Sequence, residues 1–588
     1  MLKATLIALW SSIAHVSASA VQRGLQNDGN YNITFIHVND IHAHLDEFQP
    51  IGIDCDSSHE CVGGYARLKT KIDELRSKWP DSLLLDCGDE FQGTLFFSFY
   101  NGGSKIASTL NQIGFDAITL GNHEFDDGDD KLAEFLQNLT FPVLSANLRT
   151  KHVGLGKYVK PYAYFAKHKL AVVGLTTPET IGVSSPGPGT TFRPPATVLA
   201  EQVARVKAAH PDVTRFVALT HLGYDEDIEL ARGSADVAVF LGGHSHTLVG
   251  SMKGSHGPYP TVVRNRRGED VLVATAYRYG EYLGFLNVAF GPRGNVVGWQ
   301  GEPIHMTKDV KQDAELQTQV KEWRKPFDEY GKTVVGQTTK ELSYDCQWKE
   351  CTLGDLITDV MVAFRRKAGA TVHGAVFNSG GIRATIPAGE IRRSHVMTAL
   401  PFENVIVDMH LTGQELWRTF SGMVDHLSIE GHEINSFLQV SSDFEVVYDP
   451  DKPVGSRLLS LRLGGEAVNP RTKYTIVTND FIAGGGDFFF PMNGSSKHST
   501  GIAALDETIM KYLKTHNPYT PPPMKRIRTP SGTTAPGASH VAFAKADGSS
   551  GSTFPIEDGA WAALAVMSAC LTFLVLGLEY LRVRDGLR

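Results

Sequence analysis

At 588 residues the chain is too long to fold around a single hydrophobic core, and two or three domains are expected. Its 42% hydrophobic and 20% charged residues are ordinary for a globular protein. The formal net charge of −8, with no basic and aromatic stripe to offset it, argues against a nucleic-acid polymer as partner, and no repeat of solenoid length is present.

The chain opens with Lys3, an apolar segment from Ala4 to Val16 and the small residues Ala18-Ser19-Ala20, the pattern of a secretory signal peptide cleaved after Ala20. Secretion places the six cysteines in an oxidising compartment, where Cys55 with Cys61 and Cys346 with Cys351 are expected to close as short-range pairs. Cys87 and Cys570 are expected to stay free. Asn32-Ile33-Thr34, Asn138-Leu139-Thr140 and Asn493-Gly494-Ser495 are glycosylation acceptor triplets that fit a surface protein.

From Tyr31 to His305 apolar strands alternate with helical stretches such as Tyr65 to Trp79 and Ala200 to Ala209, the mark of a layered α/β domain. Five of these strands run into side chains that bind metal ions. Ile33 to Val38 leads to Asp40 and His42, which two-residue alternation places on one side of an extended strand end. Leu83 to Leu85 leads to Asp86-Cys87-Gly88-Asp89, and Ala117 to Leu120 to Gly121-Asn122-His123-Glu124-Phe125-Asp126. Phe216 to Thr220 ends at His221, and Val237 to Leu241 at Gly242-Gly243-His244-Ser245-His246. A capped turn with solvated polar residues accounts for any one of these ends, but not for five. Asp40, His42, Asp89, Asn122, His221, His244 and His246 are more ligands than one ion takes, so two ions sharing a carboxylate are implied. Imidazoles and carboxylates without thiolate favour zinc, manganese or iron, and such a pair suits in-line attack on phosphorus. His123 titrates near neutrality, and Asp126, three residues on, is placed to orient it.

Asp309 to Tyr330 is polar and helix-forming, and reads as a solvated connecting helix. A second domain follows, with an amphipathic helix at Leu353 to Lys367 and strands at His373 to Phe377 and Tyr474 to Thr478. Its two glycine-bearing loops, Asn378 to Arg383 and Asn479 to Phe488, carry Arg383 for a phosphate and Phe481 for a base face. Thr529 to Asp558 is a Pro-, Ser-, Gly- and Thr-rich stalk, and Gly559 to Leu578 an uncharged apolar run long enough to cross a bilayer. The closing residues 579–588 are basic, which favours a retained transmembrane helix over a glycolipid anchor signal.

The order Asp-x-His, Gly-Asp, Gly-Asn-His-Glu, His, Gly-His-x-His resembles that of the calcineurin-like metallophosphoesterases, and the stretch from Tyr31 to Arg528 resembles their 5′-nucleotidase family. The resemblance implies a four-layer α/β-β-α metallophosphoesterase domain over 31–307, a connecting helix over 308–330 and a separate α/β nucleotide-binding domain over 331–528. It implies one ion on Asp40, His42, Asp89 and His246, and another on Asp89, Asn122, His221 and His244. Family members carry Asn or Gln where this chain has His246. The resemblance gives His123, paired with Asp126, the stabilisation of the transition state. It assigns Asn378, Arg383, Phe402, Asn404, Phe481 and Asp487 to substrate, with the two phenylalanines clamping the base and Asp487 on the ribose. Between Cys346 and Cys351 the family offers arginines to the phosphate, whereas this chain has Gln347 and Lys349. The expected activity is extracellular, membrane-tethered hydrolysis of nucleoside 5′-monophosphates. A broader phosphohydrolase for di- and triphosphates or nucleotide sugars is the enzymatic alternative, and a surface nucleotide-binding protein without turnover the non-enzymatic one.

Overall fold

In the computed structural model, which describes residues 30–55, 59–100, 102–428, 430–490 and 502–530, the first half of the chain forms two sheets packed face to face. One has seven strands in the order Val296–His305, Tyr282–Phe290, Tyr31–Val38, Leu83–Asp86, Ala117–Thr119, Val143–Leu144 and Val159–Lys160. The other has six, in the order Thr261–Arg264, Asp270–Ala274, Val239–Gly242, Arg215–His221, Leu170–Thr176 and Tyr162–Phe165. Strand alternation divides the side chains between faces. Phe35, Leu83 and Leu85 fill the core between the sheets, while Ile36, Val38 and Leu84 point the other way, against the helices Tyr65–Lys78, Ser104–Ile113 and Gly128–Leu136. Helices Pro195–Ala209 and Tyr224–Gly233 pack through Val198, Val203, Val206 and Ala231 on the second sheet, which completes four layers.

The central strands of both sheets are parallel, so their C-terminal ends lie on one edge. Parallel strands buried on both faces run apolar through their middle, as in Arg215–His221 and Leu170–Thr176. The polar residues that must emerge therefore do so at the ends, where open α/β sheets bind ligands.

The helix at Ala314–Gly331 differs from the solvated connector expected there. Leu316, Val320 and Phe327 are buried along one face and join the core of the first domain, and Asp313 caps its first turn by accepting from the Leu316 amide at 2.9 Å. Three apolar positions in a charged stretch are enough to seat it.

Beyond it, a five-stranded mixed sheet runs in the order Leu438–Val440, Gly374–Asn378, Lys473–Asn479, Val405–Thr412 and Ala503–Ala504. Ala375 and Phe377 face the helices Thr352–Lys367 and Leu505–Thr515, while Val376 faces Gly413–Asp425. The two expected disulfides, Cys55–Cys61 and Cys346–Cys351, are present, and Cys87 is free and buried. Among the described residues no helix is long and apolar enough to cross a membrane. The signal peptide, Asn493, the stalk, the apolar run from Gly559, Cys570 and the basic tail all lie outside the described residues.

Candidate functional site

Six of the seven ligand candidates converge at the shared strand edge, and Asn122 follows closely on the strand end beside Asp89. Asp40, His42 and His246 form one group, Asp89, His221 and His244 another, and His42, Asp89 and His123 a third between them. Within each group the donor atoms all lie within 4.8 Å of one another. His246 Nε2 is 3.4 Å from Asp40 Oδ1, and His221 Nε2 is 3.1 Å from Asp89 Oδ2.

The backbone does not deliver them as extended strand ends. Asp40, His42, Asp89, His244 and His246 all have left-handed φ, at 53°, 50°, 62°, 85° and 49°. Non-glycine residues adopt this region at a cost of about 1–3 kcal/mol each, and hold it only where surrounding structure enforces it. Here that structure is hydrogen bonding. The amides of Asp40 and His42 donate to the carbonyls of Gly88 and Asp89, both at 2.9 Å. The Glu124 carboxylate, in the motif but with no role assigned from sequence, accepts the amides of Gly121 at 2.6 Å, Glu90 at 2.7 Å and Asp89 at 3.1 Å. It ties the loop of Asp89 to the loop of Asn122. Asn39 was also missed: its Nδ2 donates to Asp40 Oδ2 and to the Tyr277 carbonyl, each at 2.6 Å.

The residues fit a pair of divalent ions. His42 Nδ1 donates to the Phe91 carbonyl at 3.0 Å and His221 Nδ1 to the Cys87 carbonyl at 2.7 Å, which fixes both rings with Nε2 toward the cluster. Asn122 Oδ1 is buried without a hydrogen-bond partner, a costly state for an acceptor unless a cation meets it, and the buried His221 Nε2 faces the Asp89 carboxylate. Burial lowers His244 to about 3, with His221 adding to the effect, and burial together with Arg383 holds His42 well below its ordinary value. Neutral imidazoles are the ligating form. Burial opposes ionisation of Asp89, but His221 and His123 outweigh it and hold the carboxylate well below its usual range. Burial likewise opposes protonation of His221, but Asp89 and Asp40 raise it to about 10, so metal binding there must displace a proton.

His123 stands beside this cluster, its ring centroid 5.1 Å from that of His42. Its amide donates to Asp89 Oδ1 at 2.9 Å, and its Nδ1 lies 2.7 Å from Asp126 Oδ2. Burial disfavours the imidazolium, but the carboxylates of Asp126 and Asp89 more than reverse this and raise its pKa.

The second domain supplies the other wall. Arg383 Nη2 donates to His42 Nε2 at 3.2 Å, which puts a guanidinium against the ligand cluster. The Phe402 ring lies 5.6 Å from that of His123, nearly parallel at 26°. Asn378 Nδ2 donates to Asp487 Oδ2 at 2.8 Å, and Asn479, which sequence reasoning did not single out, donates to Asn378 Oδ1 at 3.2 Å and Asn404 Oδ1 at 3.3 Å. One buried asparagine thus organises three of the expected substrate contacts. Phe481 packs on Gly486, where a Cβ would come within 2.5 Å of the ring. Burial raises Asp487 to about 6, with the Asn378 bond opposing the shift. Between the cysteines, Gln347 Nε2 donates to the Asn435 carbonyl at 3.2 Å and Lys349 pairs with Asp345 at 2.5 Å.

Comparisons with known proteins agree with this two-domain site. Residues 33–248 match the calcineurin-like phosphoesterase family and residues 334–494 the 5′-nucleotidase C-terminal domain. The chain is 31% identical over 547 residues to the 5′-nucleotidase of Homo sapiens, covering 88% of this chain and 94% of the human one. It is 34% identical over 519 residues to the snake venom 5′-nucleotidase of Crotalus adamanteus, covering 83% and 87% of the two chains. The solved structure of a 5′-nucleotidase precursor from Thermus thermophilus superposes with a TM-score of 0.78 at 34% identity, over 85% of this chain and 99% of that one. The chain therefore belongs to the 5′-nucleotidase family of calcineurin-like phosphoesterases and is a metal-dependent phosphoester hydrolase.

Proposed function

We propose that this protein hydrolyses nucleoside 5′-monophosphates, AMP among them, to nucleoside and phosphate, with two divalent ions, zinc or manganese, as cofactors. The observation that carries the reading is Arg383 of the nucleotide-binding half lying 3.2 Å from His42 of the ligand cluster, so that a phosphate held by the cluster meets a guanidinium. Asp40, His42, Asp89 and His246 would hold one ion, and Asp89, Asn122, His221 and His244 the other. The ions supply Lewis acidity toward a phosphoryl oxygen and acidify water.

The chain's own groups do the rest. Asp126 accepts from His123 Nδ1–H and, with Asp89, favours the imidazolium, whose Nε2–H is then the donor to the phosphoryl group or the leaving oxygen. Arg383 neutralises phosphate charge, Phe402 and Phe481 offer faces to the base, and Asn378, Asn404 and Asp487 fix the nucleoside. The domain limits proposed are 31–307, 308–330 and 331–528. Two disulfides and the exposed acceptors Asn32 and Asn138 support a place outside the cell, with residues 559–578 as the membrane anchor.

A broader nucleotide phosphohydrolase is the second reading. The observation favouring it is that Gln347 and Lys349 are engaged with the Asn435 carbonyl and Asp345, so phosphate recognition here departs from the family pattern. Phosphate release from AMP by the purified full chain tests the first reading: activity should vanish on chelation and return with zinc or manganese. No release from AMP by metal-replete protein overturns it, and faster turnover of ADP or UDP-glucose establishes the second.

A further inference from the structure

Ser184 lies outside every motif that marks the site, on an irregular segment after the short helix Thr180–Val183. Its Oγ donates to Asp126 Oδ1 at 2.6 Å, while the other oxygen of that carboxylate holds His123 at 2.7 Å. Further along, the Gly187 amide and Thr190 hydroxyl donate to the two oxygens of Asp129 at 2.9 and 2.5 Å. Asp126 and Asp129, three residues apart, are thus both gripped by residues 184–190, which brace the dyad from outside. The other side of the same segment touches the second domain. Asn435 Nδ2 donates to Glu179 Oε2 at 3.1 Å, and the Phe488 ring sits on Gly182 so closely that a Cβ there would lie 2.2 Å from it. Phe488 directly follows Asp487, and both have left-handed φ, at 56° and 53°, so the ring and the nucleoside-facing carboxylate are set by one strained turn.

We propose that Ser184 is a positioning residue for the His123–Asp126 dyad, and that the segment 179–190 transmits docking of the nucleotide-binding domain to it. Asp126 uses one oxygen on His123; with the second oxygen unheld, the carboxylate rotates about its χ2 and the imidazole loses its fixed direction. Seating Phe488 on Gly182 presses the segment inward and keeps Ser184 in reach. The dyad is therefore aligned when the half that recognises the nucleotide is in place, which discourages turnover in an open, water-filled cleft. This rests on the nucleotidase reading above.

The test uses the full chain with AMP as substrate and three variants, with kcat, KM, bound metal and melting temperature measured for each. Ser184→Ala should lower kcat about 10-fold, the scale of one hydrogen bond to a charged group, with KM and metal content unchanged. Ser184→Thr, which keeps the hydroxyl, should restore kcat to within about 2-fold of the parent. Gly182 lies within a helical turn, and the atoms nearest a Cβ there belong to the Phe488 ring, so Gly182→Ala opens the seam by steric contact with it. It should lower kcat at least as much, and the double variant Gly182→Ala/Ser184→Ala should be no worse than Gly182→Ala. Parental kcat in Ser184→Ala, loss of its metal, or a threonine variant as impaired as the alanine one overturns the positioning role. Fully additive losses overturn the coupling. Failure of the unmodified chain to hydrolyse AMP is read from the parent alone, and so counts against the nucleotidase reading and not against Ser184.

Discussion

His123 is held by two carboxylates that serve different ends: Asp126 takes Nδ1, and Asp89 Oδ1 accepts the backbone amide. Its orientation is thus tied to a candidate metal ligand as well as to Asp126. A donor that acts on the transition state is not needed for ground-state binding. His123→Ala should therefore lower kcat about 10²–10⁴-fold while KM changes little, as steady-state kinetics on AMP will show. Phe481 is proposed to act at the other end of the substrate. A base stacked on an aromatic ring is stabilised by about 1–3 kcal/mol, so Phe481→Ala should cut kcat/KM for AMP about 5- to 150-fold. A phosphate ester lacking a base should be turned over as before. Equal losses on both substrates would mean that Phe481 is only a core residue packed on Gly486.

At the scale of elements, the site is made by loops that leave parallel strands and turn at once into left-handed backbone. Glu124 is the residue that holds two of these loops together, through amides of Gly121, Asp89 and Glu90. Its bonds to them are to backbone amides. Removing it leaves buried amides without acceptors and lets the carboxylate of Asp89 drift from Asn122. Glu124→Ala should weaken metal affinity about 10- to 100-fold, the usual effect of losing a residue that orients ligands. Competition with a chromogenic chelator measures this directly, and parental affinity would reduce Glu124 to a simple turn residue.

Across the whole molecule, the two halves meet at the site through side chains of several separate loops. Tyr279, with left-handed φ of 59°, places its ring 5.8 Å from those of both His42 and His246 and donates its hydroxyl to the Arg383 carbonyl at 3.3 Å. Beside it, Arg278 lies over the Tyr279 and Tyr344 rings at 4.7 and 5.3 Å and donates to the Tyr344 hydroxyl. The Tyr279 loop, whose amide donates to the Asp40 carbonyl, is thereby linked to the segment leading into Cys346. Arg278→Ala should raise KM for AMP by about 10-fold with metal content unchanged. An unaltered KM would show that the remaining seam contacts hold the domains without it.

The sequence by itself determined the layered α/β class, the positions of the strand ends and the identity of the seven ligand candidates, because apolar strands ending in histidine and aspartate leave a local record in residue order. It misjudged two local matters. Asp40 and His42 alternate as if extended, yet both lie in a left-handed turn, since the carbonyls that capture their amides belong to Gly88 and Asp89, far along the chain. The segment 314–331 looked solvated, yet Leu316, Val320 and Phe327 found a core that other elements supply. Only the tertiary structure decided which atoms are left for a cation, that Glu124, Asn39 and Ser184 serve the site, and that Arg383 faces His42. Each of these depends on partners from separate elements, and a hydrogen bond between residues far apart in the chain leaves no periodicity to read.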